Sequence, residues 1–218
     1  MTTRSLIFAN GDINDGQMVQ RAISFAPDSL IIAADGGARV AAAHFGLSID
    51  AVIGDMDSLS EAEIATLAAE AEILRYPEAK NETDLELALT YAVERGARWI
   101  RILGGVGDRL DQTLSNVYLM ALPILQDCDV RMVAGKQETW LIGAGTHEIE
   151  GAAGDTVSLI PLTGTVRGVQ TDGLHYPLRD EDLLFGPARG VSNVMNGEHA
   201  SVTVRDGVLL VVHTLGRA

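Results

Sequence analysis

A chain of 218 residues with 47 % hydrophobic content can bury one large core or two modest ones, and this length favours two domains. Thirty acidic residues against sixteen basic, a formal net charge of -14, argue against a protein that wraps nucleic acid, because phosphate neutralisation needs clustered Lys and Arg and none occurs. The longest apolar runs, such as residues 29–34 and 208–212, fall far short of the roughly 20 residues of a membrane helix. The start of the chain carries no secretory pattern, and Cys128 with five scattered histidines offers neither disulfide nor zinc spacing. The expectation is a cytoplasmic protein with no nucleic-acid or membrane partner.

Short apolar runs at Ser5–Ala9, Ser29–Ala34, Ala51–Ile53, Glu72–Arg75, Trp99–Leu103 and Val130–Ala134 alternate with helical patterns. Six strands with helices between them predict an α/β N-terminal domain, residues 1–135, whose mainly parallel six-stranded sheet is covered on both faces. The clearest helix follows Thr83: Leu85, Ala88, Leu89, Ala92 and Val93 form a core stripe, Thr83 and Glu86 have capping-box spacing, and Gly96 is placed to end it. Leu110, Leu114, Val117, Tyr118 and Ala121 suggest a second helix ending near Pro123.

From Gly135 onward the texture changes to short strands broken by glycine, at 139–142, 147–150, 156–161, 165–171, 191–195, 200–204 and 208–213. Residues 136–218 therefore read as an all-β C-terminal domain, a small antiparallel sandwich or barrel, with Arg205-Asp206-Gly207 as a short hairpin loop between the last two strands.

Ligands of open α/β sheets bind at the carboxyl ends of the strands. The loops expected there are Asn10-Gly-Asp12, Asp35-Gly-Gly37, Gly54-Asp-Met-Asp57, Pro77 to Asp84 and Gly104 to Gln112, and each carries Asp, Gly or a lone Lys. Asp35, Asp55, Asp57 and Asp84 together could supply the hard oxygen ligands that Mg²⁺ prefers, which would offset the repulsion between the two carboxylates of Gly54-Asp-Met-Asp-Ser58. Each Asp taken singly is equally well a helix or turn cap, but caps need no common edge. Asp12 reads as a turn residue.

Gly104-Gly-Val-Gly107 opens a helix, so its backbone N–H groups could cradle phosphate, with Arg109 adding a bidentate contact. It is not a Walker loop, because the Gly-Lys-Ser/Thr ending is missing. Lys80, the only lysine before Lys136, suits a polyphosphate oxygen or else a solvated surface. Asp111 could deprotonate a hydroxyl or cap the helix.

Asp35-Gly-Gly-Ala38, Gly54-Asp-Met-Asp-Ser58, Lys80-Asn-Glu-Thr-Asp84, Gly104-Gly to Arg109-Leu-Asp-Gln112, Gly173-Leu-His-Tyr-Pro-Leu178 and Gly190-Val-Ser-Asn193 occur in the order found in one family. Along essentially its whole length the chain resembles thiamine pyrophosphokinase (thiamine diphosphokinase). The resemblance implies a C-terminal β-sandwich, a homodimer with thiamine held between domains of different subunits, and Mg²⁺-dependent transfer of diphosphate from ATP to thiamine. Asp35, Asp55, Asp57 and Asp84 match the metal-associated set, and Lys80 and Arg109 the phosphate contacts. Gly104, Gly105, Asp111 and Gln112 lie in the glycine-loop motif near ATP, and Ser192 and Asn193 match the motif that meets thiamine.

Asn81 and Asp108 stand where the family often has Asp and Gly. Trp99 and Trp140 lie outside the tail region where some relatives stack a tryptophan on the substrate; Tyr176 and Phe185 are substitutes, although packing within the sandwich is the preferred account of both. The implied reaction is in-line attack by the thiamine hydroxyl on the β-phosphorus of ATP, with Arg109 and Lys80 stabilising charge and Asp57 or Asp111 taking the proton. Two rivals remain: a pyrophosphokinase for another small alcohol such as a hydroxymethylpterin, and a non-catalytic module that holds Mg-nucleotide.

Overall fold

The computed structural model describes residues 3–217. By its contacts the chain divides into two compact units, Met1–Gly135 and Lys136–Ala218.

The first unit runs β1 (Thr3–Phe8), α1 (Gln17–Ser24), β2 (Leu30–Ala34), α2 (Gly37–Arg39, continued by a π-helical turn Val40–His44), β3 (Ala51–Gly54), α3 (Glu61–Leu67), β4 (Glu72–Arg75), α4 (Asp84–Glu94), β5 (Ala97–Leu103), α5 (Leu110–Leu119) and β6 (Asp129–Ala134). The six strands pair in the order β6-β5-β1-β2-β3-β4, every pair parallel. Parallel strands are covered on both faces, so the central ones read as unbroken apolar runs. Accordingly Leu6, Ile7, Phe8, Ile32, Ile53, Ile100 and Ile102 are fully buried.

Helix α4 carries the chain back from β4 to β5 and packs across β1, β2, β3 and β5. It buries Leu85, Ala88, Leu89, Tyr91 and Ala92. Thr83 caps it by accepting the Glu86 N–H at 3.2 Å, and Gly96 ends it with φ +88. Because the strands progress from β1 to β4 and then resume on the other side of β1, the direction of winding reverses between β1 and β5. A crevice opens at such a reversal, outside the strand ends.

Helix α5 departs from the expected apolar stripe. Val117 is buried, but Leu110, Leu114, Tyr118 and Ala121 are exposed, and the buried neighbours are Leu119 and Met120. Polar contacts orient this helix: Thr113 and Asn116 reach back to the loop before it.

The second unit comprises β7 (Gln137–Ile142), β8 (Gly145–Glu150), β9 (Thr156–Pro161), β10 (Val166–Asp172), β11 (Glu181–Leu183), β12 (Asn193–Val194), β13 (His199–Val204) and β14 (Leu209–Thr214). They form two antiparallel layers, β12-β9-β14-β7 and β11-β10-β13-β8. Leu159, Val166, Val169, Leu178, Leu183, Val202 and Val211 are among the buried residues of their core. Strand β11 has no counterpart in the sequence reading, since its three residues include two acids and bury only Leu183.

The expected hairpin at Arg205-Asp206-Gly207 is a corner. Strands β13 and β14 lie in different layers, and the corner is tied to β10, where Arg167 O accepts the Arg205 N–H at 3.0 Å and Asp206 O accepts the Arg167 N–H at 2.8 Å. Turn residues encode a change of direction, not the strand paired afterwards.

Asp155 and His213 make a buried pair in this unit, with His213 Nε2 2.9 Å from Asp155 Oδ2. Asp155 also accepts the N–H groups of Gly216 at 2.7 Å and Ala152 at 2.9 Å. Burial alone would raise its carboxyl pKa; the Gly216 N–H, His213 and the Ala152 N–H outweigh it and hold the group below the ordinary carboxylate range. Since the folded value lies below the unfolded one of about 3.9, this stabilisation is present above that pH and is lost as pH falls through the folded value. Asp155→Ala should cost about 3 kcal/mol at neutral pH, read as a lowered urea midpoint, and should flatten the acid limb of the stability profile.

Candidate active site

The loops leaving β1 and β5 interlock at the reversal. The Ala9 N–H donates to Leu103 O at 2.8 Å, the Gly11 N–H to Gly104 O at 2.9 Å and the Asp12 N–H to Val106 O at 3.0 Å. A Cβ at Gly11 would stand 2.3 Å from Gly104 O, so this approach is open only to glycine. Beside it lies a cleft of about 600 Å³, walled by the β1 loop, the carboxylates after β2 and β3, residues 78–85 and the start of α5.

Asp35, at the end of β2, is only 5 % exposed and has φ 45, with its N–H donated to Ile53 O at 2.9 Å. Its Oδ1 is buried and accepts no hydrogen bond among the described residues. Asp55 and Asp57 follow β3 on either side of Met56, a buried residue at φ 67. This left-handed turn anchors the methionine in the core, and Asp55 Oδ1 accepts the Asp57 N–H at 3.1 Å. One carboxylate oxygen from each of Asp35, Asp55 and Asp57 lies within 4.8 Å of the others. Three hard donors, one of them a buried acceptor without a partner, fit a divalent cation such as Mg²⁺.

Asp84, the fourth expected member, turns to Lys80: Nζ lies 2.9 Å from Asp84 Oδ1 and 3.6 Å from Asp55 Oδ2, with the lysine side chain 11 % exposed. Gly54 lets Asp84 stand beside Asp35, since a Cβ there would meet Asp84 Cγ at 3.0 Å and Asp35 Cβ at 3.1 Å. Burial raises the Asp84 carboxyl above its usual range, opposed by Lys80 and reinforced by Asp55 and Asp35. Burial would lower the Lys80 ammonium, but the hydrogen bond and charge of Asp84, with Asp55, raise it overall. The crowding of acids in this loop is thus relieved in part by Lys80 itself.

Lys80, Gly104, Gly105, Arg109 and Gln112 all line the cleft, as do Asp35, Asp55, Asp57 and Asp84; Asp111 does not. Arg109 and Asp111 form a bidentate pair at 2.9 and 2.5 Å, both exposed. Arg109 holds the Asp111 carboxyl down at about 2, which makes it a weak proton acceptor in this arrangement. Asp108 is not among the left-handed residues, so it occupies a backbone position where the family often has glycine without requiring glycine's freedom.

In the second unit Asn193 is 7 % exposed and its amide is engaged by backbone. Nδ2 donates to Tyr176 O at 2.7 Å, while Oδ1 accepts the N–H groups of Tyr176 and Val194, each at 2.9 Å. Asn193 therefore joins the two tail motifs to one another. Ser192 is exposed, has φ 60, and donates its N–H to Ser158 Oγ at 3.0 Å. Contrary to the expected packing, Tyr176 and Phe185 are both exposed.

Thr113 and Asn116 on the cleft wall have no place in the sequence reading, whereas Asn10, Ser58, Glu78 and Glu82 fall in loops or motifs that it names without being singled out; Asp12, expected as a turn residue, lies on the wall as well. A signal existed for two of them: Thr113 and Asn116 lie four and seven residues after Arg109, on one face of α5.

A parallel α/β unit whose winding reverses at a carboxylate cluster, a lysine and a glycine loop, joined to a β-sandwich unit, defines a class of protein suited to a metal-bound polyphosphate. Comparison with known proteins narrows the class. Residues 24–132 match the thiamin pyrophosphokinase catalytic domain and residues 146–209 the thiamin pyrophosphokinase vitamin B1 binding domain. The chain belongs to the thiamin pyrophosphokinase family. It is 26 % identical over 163 residues to thiamine pyrophosphokinase of Bacillus subtilis, covering 74 % of this chain and 76 % of that protein. In fold it is similar to the crystal structure of thiamine pyrophosphokinase from Bacillus subtilis, with a TM-score of 0.85, 24 % identity, and 98 % and 99 % of the two chains covered. It is likewise similar to a thiamin pyrophosphokinase family protein from Enterococcus faecalis, with TM-score 0.86, 23 % identity, and 99 % and 100 % covered.

Proposed function

We propose that this chain is a thiamine diphosphokinase: it transfers the diphosphate group of ATP to the hydroxyl of thiamine, giving thiamine diphosphate and AMP. The observation that carries this reading is the match of both units, in order, to the catalytic and vitamin B1 binding domains of one family.

Asp35, Asp55 and Asp57 would hold Mg²⁺, with Asp84 beside them. A bound Mg²⁺ would neutralise phosphate charge and leave the β-phosphorus open to attack. Lys80 meets a phosphate oxygen as a point charge from the floor of the cleft. Gly104, Gly105 and Gln112 line the ATP side, and Arg109 exchanges Asp111 for phosphate, an exchange favoured by its exposure. A bond forms between the thiamine hydroxyl oxygen and the β-phosphorus, the bond from that phosphorus to the α,β-bridging oxygen breaks, and AMP leaves. Asp57 takes the hydroxyl proton in preference to Asp111, because it lines the cleft and Asp111 is held by Arg109.

The second unit binds thiamine near Ser192 and Asn193, with Ser192 and the exposed ring of Tyr176 facing the ligand and Asn193 holding their loops. The enzyme works as a homodimer, and the exposed Leu110, Leu114 and Tyr118 of α5 offer a second copy an apolar face. Leu114→Glu should shift its mass by light scattering from two chains toward one. A cytoplasmic setting, rich in ATP and Mg²⁺, suits the reaction, and no helix among the described residues is long and apolar enough to cross a membrane.

Incubation with ATP, Mg²⁺ and thiamine should release AMP and thiamine diphosphate in equal amounts. ADP, or AMP formed only with a different alcohol, would overturn the assignment.

A further inference from the structure

Glycine-rich loops lack conformational stiffness, so a loop that must present its N–H groups to phosphate has to be held from outside. In Gly104–Gly107 all four carbonyls are engaged. Gly104 O and Val106 O accept from the N–H groups of Gly11 and Asp12 at 2.9 and 3.0 Å. Gly105 O accepts Asn116 Nδ2 at 2.8 Å, and Gly107 O lies 3.4 Å from the Thr113 hydroxyl, whose oxygen also accepts the Gly107 N–H at 3.2 Å. Two of the four ties are side chains one helical turn apart on α5, the helix that carries Arg109 at its start.

We propose that Thr113 and Asn116 are positioning residues that hold the Gly104–Gly107 loop in the shape that accepts the polyphosphate of ATP. They act through the loop: with its carbonyl oxygens, which repel an anion, tied back to α5 and to the β1 loop, the N–H groups other than that of Gly107, which Thr113 takes, are what a phosphate meets. Fixing the loop to α5 also fixes the distance between it and Arg109. The inference rests on the proposed function for the identity of the anion, but the loop geometry stands without it.

The test uses Thr113→Val, which keeps the side-chain shape and removes the hydroxyl, Thr113→Ser, which restores it, and Asn116→Leu. Loss of one such hydrogen bond, about 1 kcal/mol, should weaken binding of a non-hydrolysable Mg-ATP analogue about fivefold by calorimetry, with a similar rise in KM for ATP. KM for thiamine should be unchanged, and Thr113→Ser should bind as the parent does. Unaltered nucleotide affinity in Thr113→Val and Asn116→Leu, or equal losses for ATP and thiamine that follow a lowered melting temperature, would overturn the proposal. A parent protein that binds the analogue but makes no AMP would remove the proposed function and leave this inference in place.

Discussion

Asp57→Asn should lower the rate of AMP formation about a thousandfold while leaving the folded protein as stable as before or more so. One carboxylate is lost from three whose oxygens lie within 4.8 Å of one another. Removal of a single electrostatic stabiliser commonly costs about 10²–10³ in kcat, and here the same residue is also the proposed proton acceptor, which adds a further contribution. In the unliganded protein the three carboxylates repel, and Lys80 offsets this only in part, so an amide relieves repulsion that a bound cation would otherwise relieve. Thermal melting separates the effects: Mg²⁺ should raise the parent's melting temperature and raise that of Asp57→Asn much less. A fully active variant would remove Asp57 from both roles.

Lys80→Met should produce the second large effect, and in this case stability falls with activity. The methionine leaves Asp84 and Asp55 without the ammonium that stands 2.9 and 3.6 Å from them. Breaking a fully buried pair costs about 3–5 kcal/mol; discounted for the partial exposure of Asp84, roughly 2 kcal/mol is expected here. The pH dependence carries the signature. Asp84 already has a folded pKa above its unfolded value, so between the two the native state binds the extra proton and stability falls as pH rises. Without Lys80 that rise in pKa grows, and Lys80→Met should be more stable near pH 5 than near pH 8. In the parent the lysine's linkage has the same sign but lies at alkaline pH: its raised pKa means stabilisation present below about 10.4 and lost as pH rises through the folded value. Activity should fall at least a hundredfold at pH 8, and Lys80→Arg should restore stability better than rate, because a planar fork does not replace a compact ammonium inside an acid cluster. Equal urea midpoints for parent and Lys80→Met at both pH values would contradict the account.

Much of this is legible in the sequence. The central strands of the first unit show in the sequence because strands covered on both faces are uninterrupted apolar runs, as in Leu30–Ala34. The loops at their ends are then where ligand groups are expected, since the carboxyl edge of such a sheet opens onto a crevice. Asp35, Asp55, Asp57, Asp84, Lys80 and Arg109 could therefore be named from strand ends alone, and all line one cleft.

Other features depended on contacts between residues far apart in the chain. That Asp84 stands beside Asp35 depends on the space left by Gly54, which does not follow from spacing. The stripe on α5 has helical period, yet periodicity states which residues share a face and not what covers it, so Leu110, Leu114 and Tyr118 could not be told from core. The same holds for Asn193, whose amide is taken by the backbone of Tyr176, and for β13 and β14, adjacent in sequence and divided between two layers. Local patterns of burial and turn chemistry are written residue by residue, and from them the sequence alone determined most of the strands, the fold class of each unit and the edge at which the cleft opens. Partner choice among side chains is a competition among all the groups the folded chain brings within reach, and only the tertiary structure decided it.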